Sequence, residues 1–134
     1  MKREILFRAW DSKDNFMRYD IGELHFLQGG LKVIGCATNI GNGWVKDNPL
    51  MQSTGLKDKN DYPIFESDIL KDLLSGAIWI VRFGFCKKFS YTGWYCEGVN
   101  VQRDCQINGE NNSNVNSQIE IIGNIYENKE LLNK

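Results

Sequence analysis

Residues 50–70 read LMQSTGLKDKNDYPIFESDIL, and the order of turn and strand signals in this stretch decides the fold class. Thr54-Gly55 is a turn signal, because glycine takes a left-handed backbone at no steric cost. Lys57, Asp58, Lys59, Asn60 and Asp61 make a second, solvated turn, and Tyr62-Pro63-Ile64-Phe65 then resumes an apolar alternation. An acidic corner, Glu66-Ser67-Asp68, follows, and residues 70–74 with 77–83 form a hairpin pattern around Ser75-Gly76. A charged turn, an acidic corner and then a hairpin is how many small SH3-like barrels begin. The expectation is a stretch of turns and short strands, not one continuous helix, joining an N-terminal β portion to a C-terminal barrel.

Outward from this stretch the periodicity is again that of strands. Segments 5–10, 23–27, 31–37, 77–83, 94–101 and 119–122 are short, rich in β-branched and aromatic residues, and bounded by turn residues. Gln28-Gly29-Gly30 joins two of them as a hairpin. Phe7 and Trp10 fall on opposite faces of the first strand, and at least one is expected to fill the core. Two short helices are expected. One lies at 67–70 with Ser67 as its cap, and the other at 128–132 with Asn128 as N-cap and Glu130 in the first turn. Residues 108–117, NGENNSNVNS, carry no apolar period and read as a surface loop.

Composition excludes more than it assigns. With 134 residues, 42% hydrophobic and 25% charged, the chain has the make-up of one ordinary globular protein. A net charge of −1 provides no global field toward phosphate backbones or anionic membranes. The first residues, MKREILFRAWDSKD, are interrupted by charge before any apolar core of a signal peptide forms. The apolar run 77–81 is far shorter than the ~18 residues a spanning helix needs. The expected setting is therefore cytoplasmic, with no membrane partner and with Cys36, Cys86, Cys96 and Cys105 as reduced thiols. None of these cysteines forms a C-x-x-C pair, and the one histidine, His25, sits far upstream on a strand pattern. Buried apolar thiols and a histidine on a solvated or hydrogen-bonded face are expected, with no metal and no cofactor.

Asp58, Glu66 and Asp68 are the one carboxylate group worth considering for acid/base or metal chemistry. Asx turns and a solvated face account for them equally well. No Ser/His/Asp set, P-loop, H-E-x-x-H or glycine-rich phosphate cradle is present in the sequence, so the chain reads as a non-enzyme. Its richest surface chemistry is at 82–95, where Arg82, Lys87 and Lys88 stand among Phe83, Phe85, Phe89, Tyr91, Trp94 and Tyr95. Arg82, Lys87, Lys88, Tyr91, Trp94 and Tyr95 are the candidate interaction surface. Their mix of cations and aromatics suits a protein partner, or a single-stranded nucleic acid as the alternative.

Three blocks of the chain resemble the YopX family, proteins encoded by bacteriophages and prophages. REILFRAWDSKDNFM (3–17) is similar to the family's opening R-x-I-x-F-R-A-W-D with a Met after a short turn. MQSTGLKDKNDYPIFESDIL (51–70) is similar to Q-Y-T-G-L-K-D-K-N-G followed by E-G-D-I, and IEIIGNIYENKELL (119–132) to the closing I-G-N-I-Y-E-N-x-E-L-L. Ser53 stands where the family has an aromatic, Asp61-Tyr62 replaces a Gly-Lys turn, and Ser67 replaces the Gly of E-G-D-I. If that glycine holds a positive φ, Ser67 costs roughly 1 kcal/mol of strain. The resemblance implies a mainly β fold with a small antiparallel SH3-like barrel in its C-terminal part, and no established activity. The expected division is 1–56, an N-terminal β portion, and 57–134, the barrel portion with a C-terminal helix.

On this reading the chain is a phage or prophage interaction or regulatory protein acting in the bacterial host cytoplasm. Its partners are itself, as a homo-oligomer, and a phage or host protein, with nucleic acid as the less favoured alternative. An uncovered edge on an apolar strand such as 77–81, or an aromatic face, is the expected route to self-association. Metal analysis of the untagged chain is expected to return no stoichiometric zinc, since no tight ligand pair exists to hold it.

Overall fold

The computed structural model describes residues 5–12, 14–19, 21–26, 32–36, 44–46, 49–87, 90–102, 105–106 and 118–132. The chain divides into two compact units, Leu6–Gln52 and Ser53–Lys134 together with Met1–Ile5. Every strand pair among the described residues is antiparallel, and none of their helices is long and apolar enough to cross a membrane.

In Leu6–Gln52, β1 (Phe7–Asp11) and β2 (Phe16–Arg18) form a hairpin with Trp10 opposite Met17. Asp11 closes it. Its main-chain oxygen accepts from Asn15 N at 2.7 Å, its Oδ1 accepts from Asp14 N at 3.1 Å, and Asn15 takes a left-handed φ of 56°. The other carboxylate oxygen meets Arg18 Nε at 2.9 Å, with both side chains buried. The Arg18 guanidinium lies 4.5 Å from the Phe16 ring centre, and the buried Arg8 donates to the Tyr19 hydroxyl at 3.4 Å. The enclosed positions of β1 are thus Arg8, Ala9 and Asp11, while Phe7 and Trp10 are both only half-buried. The expectation that one aromatic fills the core is corrected: the interior of this hairpin is organised around an ion pair.

β3 (Ile21–Phe26), β4 (Lys32–Cys36) and β5 (Trp44–Lys46) form a separate three-stranded sheet. The hairpin expected around Gln28-Gly29-Gly30 has its two strands paired in register, Leu24 opposite Ile34, while the connecting residues lie outside the described ones. β6 (Leu50–Lys57) opens on this unit's side, where Leu50, Met51 and Gln52 pair with Ala9, Arg8 and Phe7.

In the second unit the rest of β6 pairs with β7 (Pro63–Phe65). The turn expected at Thr54-Gly55 is a bulge inside the strand. Register shifts between Ser53 and Lys57, Gly55 takes φ 88°, and Thr54 Oγ1 accepts from Leu56 N at 3.1 Å. β6 takes four steps from Ser53 to Lys57 while β7 takes two from Phe65 to Pro63, and a left-handed glycine accommodates such a bulge as well as a turn.

A five-stranded sheet follows, in the order β11 (Cys105–Gln106), β10 (Tyr91–Gly98), β9 (Ile78–Cys86), β8 (Asp68–Asp72), β12 (Ile119–Asn124). It curves as a half-barrel over a core of Ile64, Leu70, Ala77, Trp79, Val81 and Cys96, with Leu56, Trp94, Val101, Ile119 and Ile121 packed against it. Full burial of a large apolar side chain contributes about 1.5–3 kcal/mol, so this cluster is the main source of the unit's stability.

Neither expected α-helix forms. At 67–70, Ser67 takes φ 75°, its N–H donates to Val81 O at 2.8 Å, its O accepts from Ile125 N at 3.1 Å, and Asp68 Oδ2 accepts from Phe65 N at 2.8 Å. The acidic corner is therefore a tight turn that feeds β8. At the C-terminal end, the Asn128 carboxamide reaches back to Asn124 N at 3.1 Å instead of capping a following turn. Leu131 N then donates to Asn128 O at 3.0 Å, and only a 3₁₀ turn, Lys129–Leu132, results. Asn124 completes the motif, since its Oδ1 accepts from Tyr126 N and Glu127 N at 3.0 and 2.9 Å. A Cβ at Gly123 would collide with the Asn128 carboxamide, which accounts for the glycine.

Ser67 holds a conformation that costs a non-glycine residue ~1–2 kcal/mol, against the ~0.5–1 kcal/mol by which glycine raises the entropy cost of folding. Ser67→Gly is therefore expected to raise stability by about 0.5–1 kcal/mol, a shift on the order of 3 °C in Tm. Thermal unfolding checks this, and a fall in Tm would mean that the buried serine hydroxyl outweighs the backbone strain.

Candidate interaction surface

The longest strand, β9, alternates its side chains between two faces. Trp79 and Val81 enter the core, opposite Gly98 and Cys96 of β10. The next two positions on that face, Phe83 and Phe85, lie opposite Trp94 and Thr92 and are 55% and 62% exposed. Trp94 joins the two zones, because it packs against the core cluster and meets the Phe83 ring edge-on at 4.9 Å and 68°. An aromatic stripe thus begins in the core and runs out into solvent along the hairpin.

The opposite face sets Arg82 between the buried Ile80 and Cys86. Arg82 and Tyr95 are cross-strand partners, and Arg82 Nε meets Glu97 Oε1 at 3.1 Å with both groups partly exposed. Such a pair contributes at most about 1 kcal/mol, but it places a carboxylate beside the cation. Further along, Gly84 and Gly93 face each other with φ 149° and 157°, and nothing lies within 4 Å of where a Gly84 side chain would start.

The structure separates the residues expected to form one surface. Arg82 and Tyr95 share one face, Trp94 lies on the aromatic one, and Lys87 is exposed where β9 ends. The Tyr91 backbone pairs with Cys86, while the Tyr91 side chain and all of Lys88 lie outside the described residues. Phe83 and Phe85 carry the exposure without having been among the candidates. In the sequence Phe-Gly-Phe simply continues the Trp79 and Val81 alternation, and only the end of the pairing with β8 turns those positions into surface.

The carboxylates are occupied by main-chain amides. Asp58 is 1% exposed; its Oδ1 accepts from Asn60 N at 2.9 Å and Tyr62 N at 3.0 Å, and its Oδ2 accepts from Ile121 N at 3.0 Å. Asp68 holds the turn at Phe65, as described, and Glu66 is half-buried beside it. Among the described residues no three His, Cys, Asp or Glu side chains are grouped so as to hold a metal ion. Cys86 and Cys96 are buried free thiols.

Replacing Asp58 with Ala removes the acceptor for three N–H groups in part-buried bonds. A loss of about 3 kcal/mol is expected, with Asp58→Asn losing less because one oxygen and its two bonds survive. Urea denaturation reads the difference; a stable Asp58→Ala protein would free this carboxylate from its structural assignment.

The family model described as YopX protein matches residues 6–133 of this chain. No curated protein matches it. Among solved structures, protein EF1440 from Enterococcus faecalis is similar in fold, with a TM-score of 0.60 and 24% identity over 98% of this chain and 99% of that one. The three sequence blocks fall on the β1–β2 hairpin, on the run from β6 through β8, and on β12 with its closing turn. With that distribution and a match over nearly the whole length, the chain belongs to the YopX protein family.

Proposed function

We propose that this chain is a non-catalytic interaction or regulatory protein of a phage or prophage, acting in the bacterial cytoplasm through the β9–β10 hairpin of an SH3-like C-terminal barrel. The observation that carries this reading is the exposure of Phe83 and Phe85 on a stripe continuous with the core. Large aromatics held rigidly at a surface lose little entropy on binding and are the side chains that anchor protein interfaces. The buried aspartates support a non-enzymatic role, since their oxygens already serve the backbone.

A second reading, a nucleic-acid-binding barrel, draws on the same aromatics with Lys87 exposed at the end of β9, a combination suited to stacking single-stranded bases. The Arg82–Glu97 pair and the net charge of −1 weigh against it.

Pull-down of the tagged chain from infected or induced cells, with and without nuclease, separates the two. A protein partner that survives nuclease is expected, with its affinity falling by about 30-fold on Phe83→Ser, the cost of losing one aromatic anchor of about 2 kcal/mol. Partner recovery that vanishes with nuclease, together with tight and steeply salt-dependent binding to single strands, would reverse the order of the two readings.

A further inference from the structure

The strand expected to be an aggregation-prone edge is covered on both sides. Ile78, Trp79 and Ile80 pair with Lys71, Leu70 and Ile69 of β8, and residues 79–86 pair with β10. Cover on the β8 side ends where Ser67 N donates to Val81 O at 2.8 Å. Among the described residues no strand pairs with 82–86 on that side, so β9 overhangs its neighbour by five residues.

The direction of the main-chain groups on this overhang follows from bonds already made. Val81 O and Ala77 O point toward β8, where they accept from Ser67 N and Asp72 N, while Ile78 O points the other way and accepts from Val99 N. Along a strand the N–H and C=O of a residue point to one side and alternate from residue to residue. Phe83 and Phe85 therefore present their N–H and C=O at the open edge, and Arg82, Gly84 and Cys86 direct theirs to β10.

We infer that a second copy of this chain pairs antiparallel along the open edge of β9, about a two-fold axis at Gly84. In that register Phe83 of one copy lies opposite Phe85 of the other, and each such pair exchanges two N–H···O=C bonds. Gly84 faces Gly84 of the other copy at the closely spaced position between them, where the absence of side chains permits the approach. Phe83 and Phe85 of both copies come onto one face as directly opposed aromatic pairs, which removes exposed apolar surface. Charge agrees with the register, because the exposed Lys87 of each copy runs toward the Glu66-Ser67 turn of the other. The contact is isologous and closed, so it consumes the edge without propagating a fibre.

This inference does not rest on the binding role proposed above, because it is tested with no other partner present. Light scattering between about 1 and 100 µM is expected to move from the 15.4 kDa chain toward twice that mass. Amide exchange of Phe83 and Phe85 is expected to slow by roughly tenfold or more over the same range. Phe85→Pro removes a donor from the open edge but none from the β10 ladder, and Phe83→Lys sets like charges close together across the axis. Both are expected to keep the monomer mass at all concentrations while the Ser67 amide stays protected. Four results would overturn the inference. They are a monomer mass throughout, a dimer indifferent to both variants, Phe83 and Phe85 amides already protected in the monomer, or protection that appears only when a different protein or peptide is added.

Discussion

One buried carboxylate, Asp58, ties together parts of the C-terminal unit that are far apart in sequence. Two of its hydrogen bonds close the turn between β6 and β7, and the third reaches Ile121, 63 residues further on, in β12. A carboxylate buried this completely is tolerated only when its oxygens are satisfied, and three N–H donors satisfy it. The turn and β12 therefore fold together or not at all. The nearby bond from Lys59 N to Ile119 O reinforces the same junction. Once β12 is held there, it pairs with β8 and brings Ile119 and Ile121 against the core.

The same device recurs wherever the chain resembles its family. Asp11 closes the first hairpin and pairs with Arg18, Asp68 holds the turn before β8, and Asn124 and Asn128 bind the amides of the closing turn. In each case a short polar side chain replaces a main-chain partner that the local geometry cannot provide. The shared motifs thus encode turns, bulges and junctions. The β9–β10 hairpin lies outside all three blocks, and it puts Phe83 and Phe85 into solvent.

The difference in length between β8 and β9 gives the sheet two zones. Where both strands are present, alternate residues of β9 are core. Where β9 continues without β8, the same alternation turns into surface, and Trp94 stands at the boundary with contacts to both. The aromatic stripe is thus a rigid extension of the core, held by the β9–β10 ladder.

The sequence by itself determined that the protein is mainly β, because periods of two and glycine signals act within a few residues. The pairing of β3 with β4 and of β8 with β9 was legible for the same reason, and so was the family, through motifs such as RAWD and GNIYEN. Other elements depended on partners that no local pattern names. Asn128 looks like a helix cap until Asn124 takes its carboxamide, Ser67 looks like another until Val81 and Ile125 hold it left-handed, and Thr54-Gly55 looks like a turn until β7 makes it a bulge. Asp58 read as a solvated turn residue because its third hydrogen bond comes from the other end of the unit. The surface candidates that the structure describes are divided between two faces by the β9–β10 register. Phe83 and Phe85 could not be told from core residues, because burial depends on how far a neighbouring strand runs, and tertiary pairing alone decides that.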